Sequence, residues 1–381
     1  MKDKKNNLIL VVAAVLLVLV CMEVVLRISG IARMSARFTC FDAVLGKVYC
    51  ATAAGEFDKG SYHNYLEINS AGMIDREYPQ LKPAGTRRIA LLGDSFAASE
   101  YLQTAEKFEG ILERELSRDL GVPVEILNFG ISGSETWNQL QLFHRMAASY
   151  QPDITLLAFY WGNDVSDNIE QLQNGNPDPR QEDYEPSWRA RVKAVRKGFN
   201  KVLWENSLLY QVVHDGTGRV EQLVKRWLRP DYLAEIDRIT IDNTLPDEAI
   251  VRPLADTDSI EDDVFFQDSD GWQLTRELIL KLNAEVVAAG SRLLVLHFPS
   301  EALIRSGISL PDQAFNRFLA RHDIPYISLF DDYRQLQPEQ LQAHFIPGDG
   351  HWTRYGHRYI AERSRDQLLK LLLAPSRPFL R

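Results

Sequence analysis

The 381-residue chain has only three cysteines, which excludes a disulfide framework and a four-cysteine zinc site. It lacks Gly-x-x-x-x-Gly-Lys-Ser/Thr and Gly-x-Gly-x-x-Gly, so no phosphate-cradling loop supports a nucleotide cofactor. There is no His-Glu-x-x-His, and the eight histidines make no tight metal-binding spacing. Basic excess is missing too: 43 Lys and Arg stand against 52 Asp and Glu, a formal net charge of -9. A general nucleic-acid binder is thereby excluded, because phosphate contact needs clustered cations. No internal repeat is present. What is abundant is apolar content, 45% of residues, which suits one large α/β domain with an insertion, or two smaller domains.

The longest apolar run is residues 8–22, fifteen in a row, broken by Glu23 and resumed through Val24, Val25 and Leu26. At ~1.5 Å per residue such a stretch crosses a hydrocarbon core of ~30 Å. Residues 8–28 are therefore expected to be a transmembrane anchor. The rival is a cleaved signal peptide, but no small-x-small site follows, and Cys21 lacks the small preceding residue of a lipoprotein site. Lys2, Lys4 and Lys5 before the span balance Arg27, Arg33 and Arg37 after it. Cys40 and Cys50, just past the span, suit either a disulfide in an oxidising compartment or two buried thiols. We expect residues 1–7 to be a cytoplasmic tail, 29–86 an N-terminal extension, and 87–375 a periplasmic or extracellular domain.

Beyond the breaker run at 82–85, apolar strands and helical periods alternate. Strands are predicted at 88–92, 124–127, 154–159, 293–296 and 326–330, and helices at 104–119, 137–148, 272–289, 313–321 and 355–373. Near-continuous apolar strands alternating with helices predict an α/β fold, a parallel sheet covered on both faces. Residues 171–270 break the rhythm and read as a helical insertion. Within it, 188–204 has six Lys and Arg without an acid and one apolar helical face, the pattern of a lid helix or of a helix on anionic headgroups. Its acidic stretch at 256–263 lacks the glycine and ligand order of a calcium loop.

Three strands end in polar clusters: Gly93-Asp94-Ser95, then 128–133 closing on Gly133, then Gly162-Asn163-Asp164. In an open parallel sheet these carboxyl ends face one crevice. A fourth cluster, Asp349-Gly350-His351-Trp352, precedes the last helix and is expected at the same edge. Singly, these are common helix caps and turns. Together they fit nucleophilic acyl transfer. A serine hydroxyl needs a base, the base needs an orienting carboxylate, and the tetrahedral intermediate needs donors. Ser95, His351 and Asp349 take the first three roles; the N–H groups of Ser95 and Gly133 and the Asn163 amide take the last. His357 is a spare base that packs or caps on the last helix, and His297, at a strand end, has a core or rim role.

On these blocks the chain resembles the SGNH, or GDSL-type, esterase and acyltransferase superfamily. Gly93-Asp94-Ser95-Phe96, Gly133, Asn163, and Asp349 with His351 match its four blocks over about 88–170 and 272–372. Residues 68–78 are similar to the Asn-Ser-x-Gly stretch of membrane-anchored bacterial members. The resemblance implies a flavodoxin-like three-layer sandwich and no metal or organic cofactor. Two positions depart from the pattern. Trp161 stands where the family has glycine, and the last block is Asp-x-His rather than Asp-x-x-His. The shorter spacing followed by Trp352 is similar to SGNH-like proteins of polysaccharide O-acetylation. The expected function is a membrane-anchored serine esterase acting on acylated glycan, lipid or small esters, possible partners being the envelope polysaccharide machinery. The alternatives are an O-acetyltransferase, a non-catalytic glycan-binding module, and a metal-dependent phosphoesterase on Asp94, Asn163, Asp349 and His351.

Overall fold

The computed structural model describes residues 2–29, 38–42, 45–58, 63–173, 199, 202–203, 206–213, 270–306, 310–347 and 349–374. The body is built on a five-stranded parallel sheet of β5 (Arg87–Leu92), β6 (Val124–Asn128), β7 (Ile154–Tyr160), β8 (Arg292–Phe298) and β9 (Tyr326–Ser328). The strand order β6-β5-β7-β8-β9 is that of flavodoxin-like doubly wound folds. From β5 the chain steps to β6 on one side, then crosses to β7 on the other, so a crevice opens between the carboxyl ends of β5 and β7.

The strands are apolar throughout because both faces are covered. Along β5, Ile89 and Leu91 face one layer while Ala90 and Leu92 face the other. The first layer holds α3 (Phe108–Leu120) and α11 (Arg354–Leu373), whose Phe108, Leu112, Leu116, Ile360 and Leu368 complete that core. The second layer is α4 (Thr136–Arg145), α5 (Asp164–Gln173) and α6 (Asp270–Ala288), which contribute Leu140, Phe143, Val165, Leu278 and Leu282. The short helices are α2 (Ser95–Ala98), α7 (Glu301–Ser306), α8 (Leu310–Arg321), α9 (Phe330–Arg334) and α10 (Pro338–His344). This is the three-layer α/β architecture expected from the alternation of strands and helices.

Three local details differ from the sequence-based expectation. The last strand stops at Ser328 because the Ser328 hydroxyl accepts the Phe330 N–H at 3.3 Å and starts α9. The fourth helix ends at Arg145, and a separate single turn follows at Ala147–Tyr150. Helix α5 carries regular structure to Gln173, past the expected start of the insertion. The acidic stretch at 256–263, and all of the basic helix at 188–204 except Phe199, Val202 and Leu203, lie outside the described residues.

Upstream of the sheet, β1 (Thr39–Asp42) pairs antiparallel with β2 (Gly46–Tyr49), and β3 (Ala54–Asp58) with β4 (His63–Glu67). These hairpins are anchored on the body: Leu45, Tyr49, Leu66, Ile68 and Met73 share a core with α4 and the sheet. Cys40 and Cys50 are disulfide-bonded across the first hairpin, Cα to Cα 5.0 Å. The N-terminal α1 (Lys2–Ser29) contains a segment, Ile9–Ser29, long and apolar enough to cross a membrane, with none of its apolar window buried. A helix that is apolar all round and unburied by protein suits a lipid surrounding.

Closing a loop of this size with a disulfide stabilises by up to about 3 kcal/mol. Unfolding in urea with and without dithiothreitol should differ by no more than about this amount. The Cys40→Ser, Cys50→Ser double variant should start from the lower value and be insensitive to reductant.

Candidate active site

Ser95 opens α2 directly after β5. Gly93 permits the turn, since a Cβ there would lie 2.8 Å from that of Ala97 and 3.1 Å from that of Ala158. Asp94 caps the helix, its Oδ1 accepting from Phe96 N–H at 2.9 Å. The Ser95 hydroxyl thus stands at the carboxyl end of the sheet, at the switch between β5 and β7.

His351 arrives from the other end of the chain. Residues 345–352 form a tight reversal closed by a bridge between Phe345 and Trp352, with Ile346 N–H donating to His351 O at 2.7 Å. Trp352 is fully buried, its ring against Phe96 and Phe298 at 4.8 and 4.4 Å, which holds the reversal on the sheet edge. His351 Nε2 lies 2.7 Å from Ser95 Oγ. On the opposite side of the ring, Nδ1 hydrogen-bonds Asp349 Oδ1. Gly350, at φ +84°, turns the backbone back so that two residues separated by one can face each other. The short Asp-x-His spacing therefore forms the same relay that a longer spacing would.

The loop after β6 is laced to the nucleophile turn. Phe129 and Ile131 N–H groups donate to Leu91 O and Gly93 O at 2.8 and 3.1 Å, and Ser134 Oγ donates to Gly93 O at 2.9 Å. Gly133 sits in this loop at φ +73°, a conformation a side chain would strain. Asn163 ends the turn after β7; its Oδ1 is buried without a hydrogen-bond donor among the described residues, while the residue remains half-buried at the crevice. So the structure brings Ser95, His351 and Asp349 into one hydrogen-bonded chain. It sets Gly133 and Asn163 on the two loops flanking Ser95, at the carboxyl ends of the neighbouring strands.

Several residues that shape this site carry no signal in the sequence alone. The first hairpin grips the Gly133 loop: Lys47 Nζ donates to Ser132 O at 2.7 Å, and Ser132 N–H donates to Tyr49 Oη at 3.2 Å. Buried Tyr49 also donates to Glu100 Oε1 at 2.7 Å, just past α2. Asp94 and Asp164, each next to a candidate site residue, are fully buried. Asp164 Oδ2 accepts from Tyr160 N–H at 2.7 Å, and one oxygen of each carboxyl has no hydrogen-bond donor among the described residues. Burial pushes Asp94 up to about 6. Burial, and then the Asp94 charge, push Asp164 well above its ordinary range, so the carboxyls resist carrying two charges beneath the nucleophile.

Trp161 points away from the crevice, buried among Phe159, Trp272 and Phe315, with Nε1 donating to His297 Nδ1 at 3.3 Å. His297 is fully buried beneath it and held neutral, burial lowering it to about 4. His357 is likewise buried: Nδ1 accepts the Phe108 N–H at 3.1 Å and so caps α3, while Nε2 faces Ser99 Oγ at 3.1 Å. Both its nitrogens are thus engaged by residues other than Ser95. Among the described residues no group of three or more His, Cys, Asp and Glu is arranged to hold a metal ion.

No family model and no curated protein matches the chain. Solved structures similar to it include a lipase/acylhydrolase from Enterococcus faecalis, 12% identical over 77% of this chain and 100% of that one, TM-score 0.40. Another is the psychrotrophic esterase EstA from Pseudoalteromonas sp., 12% identical over 76% of this chain and 100% of that one, TM-score 0.38. A third is a GDSL-like lipase from Bacteroides thetaiotaomicron, 10% identical over 75% of this chain and 89% of that one, TM-score 0.34.

Burial drives His357 from 6.5 down to about 3. A lowered folded-state value means that its stabilisation is complete above pH 6.5 and is lost as pH falls through the folded value. His357→Gln should make the acid-side slope of unfolding free energy shallower by about one proton, ~1.4 kcal/mol per pH unit, between pH 6 and 4. Urea unfolding of both proteins across that range measures the difference.

Proposed function

We propose that this chain is a membrane-anchored serine esterase of the SGNH type, acting through an acyl-enzyme on Ser95. The carrying observation is the hydrogen-bonded chain from Ser95 Oγ through both His351 nitrogens to Asp349. His351 Nε2 takes the hydroxyl proton as Ser95 Oγ attacks the ester carbonyl carbon. The carbonyl electrons move onto oxygen, and that oxyanion accepts hydrogen bonds from the N–H groups of Ser95 and Gly133 and the Asn163 amide. The imidazolium, held by Asp349, then gives its proton to the departing alkoxide as the C–O bond breaks. A water repeats the sequence in reverse and frees the carboxylic acid. The substrate class is an O-acyl or O-acetyl ester of an envelope or extracellular glycan, a lipid, or a small ester.

The localisation reading rests on two features. Residues 8–28 of α1 are apolar apart from the ion-paired Glu23 and Arg27 near one end, as suits a single-pass anchor. The disulfide between Cys40 and Cys50, on the carboxyl side of that helix, favours a periplasmic or extracellular body. A second reading, O-acetyl transfer, has the Asp349-x-His351-Trp352 block in its favour. The relay is the same, with a sugar hydroxyl replacing water in the second half.

Ser95→Ala should abolish turnover of a short-chain nitrophenyl ester and labelling by a fluorophosphonate; labelling that survives it would refute the assignment. Asn163→Ala should lower kcat by ~10²–10³, the usual loss for one oxyanion donor. Incubation with a chelator should leave the rate unchanged, and a loss would favour metal-dependent phosphoesterase chemistry instead. Supplying an acetyl donor with a sugar oligomer, and measuring acetyl-sugar against free acetate, separates transfer from hydrolysis.

A further inference from the structure

Helix α1 meets the stretch between α5 and α6 through Glu23 and Arg27. The Glu23 carboxylate accepts four hydrogen bonds. They come from Leu208 N–H at 2.9 Å, Leu209 N–H at 2.8 Å, Ser207 Oγ at 2.9 Å and Arg27 Nε at 2.6 Å. Arg27 Nη2 in turn donates to Asn206 O at 2.7 Å. Glu23 thus caps the first turn of the helical residues 208–213, and every lone-pair position of its carboxylate is used.

The depth of this contact matters. Glu23 lies six residues before Ser29, the end of the apolar segment Ile9–Ser29. At ~1.5 Å per residue that is ~9 Å back along the helix toward the bilayer centre. An unpaired carboxylate there would be costly in hydrocarbon, and the cap removes the cost. The same bond, however, draws the capping segment down to that level. Its surface fits: Phe199, Val202, Val212 and Val213 are 62%, 55%, 39% and 59% exposed. None of residues 206–213 carries a charge.

We infer that residues 206–213, with Val202 and Phe199, form an interfacial element that docks on α1 through Glu23 and rests its apolar side in the outer boundary of the lipid bilayer. The occupant of this surface is lipid, argued from its continuity with the membrane-crossing helix. The inference depends on the anchor reading of α1 and adds a second, non-spanning contact with the membrane. It would hold the catalytic crevice at a fixed height and tilt rather than on a free tether.

The test uses the full chain in nanodiscs of phosphatidylcholine and phosphatidylglycerol containing lipids with a nitroxide near the headgroup or near the chain end. A fluorophore on native Cys21 reports the anchor. In a Cys21→Ala background, Val212→Cys and Val202→Cys report the docked segment, and Leu81→Cys, 75% exposed on the body, reports the aqueous control. Positions 212 and 202 should be quenched most by the headgroup-proximal nitroxide, with position 81 unquenched. Glu23→Leu should reduce quenching at 212 and leave it at 21. Quenched Cys21 with unquenched 212 and 202 overturns this proposal alone, as does an unchanged signal at 212 in Glu23→Leu. Unquenched Cys21 overturns the anchor, and the inference with it, leaving the esterase assignment to the Ser95 experiments.

Discussion

Two hundred and fifty-six residues separate the hydroxyl of Ser95 from the imidazole that meets it at 2.7 Å. That single hydrogen bond is the constraint the body is built around. It requires β5 to end where the 345–352 reversal is held, and Trp352 provides the hold by filling the space between Phe96 and Phe298. Helix α11 then runs back along α3, with buried His357 capping the N-terminus of α3. Ser95 and His351 are therefore positioned by the same apolar layer, and neither can shift far without disturbing the other.

The crevice gains its chemistry from contrast. On the solvent side His351 and Asp349 are half-buried. Beneath Ser95 lie Asp94 and Asp164, both fully buried. The first pair borders the crevice, and the second is closed off from solvent. Burial gives the two carboxyls of the floor a structural role, in which their oxygens hold Phe96 N–H and Tyr160 N–H at the two turns where nucleophile and oxyanion donor are expected. Like charges placed in a dry site separate in their protonation, and here the two carboxyls lie outside the hydrogen-bonded chain of Ser95, His351 and Asp349.

Much of this was readable from residue order. The five sheet strands are continuous apolar runs because both their faces are covered, and that pattern survives without tertiary knowledge. The relay was legible since each member sits in a short, strongly typed motif at a strand or helix end. The two N-terminal hairpins were not, because four- and five-residue strands with one wet face leave too little alternation to detect. The grip of Lys47 and Tyr49 on Ser132 was equally hidden: it joins segments more than eighty residues apart through side chain and backbone, a contact that no local pattern encodes. The short Asp349-x-His351 spacing and Trp161 looked like departures from a family pattern. Their reasons, a left-handed turn and a buried indole facing the other way, lie in backbone angle and packing.

The disulfide-closed hairpin supports the crevice from a distance. The loop bearing Gly133 leans on Tyr49, whose neighbour Cys50 is tied to Cys40. Without that tie, the first hairpin would keep its grip on Ser132 through packing and the Lys47 and Tyr49 hydrogen bonds alone. The oxidation state of one cysteine pair thus bears on the rigidity of a loop beside Ser95, one step removed from Ser95 itself.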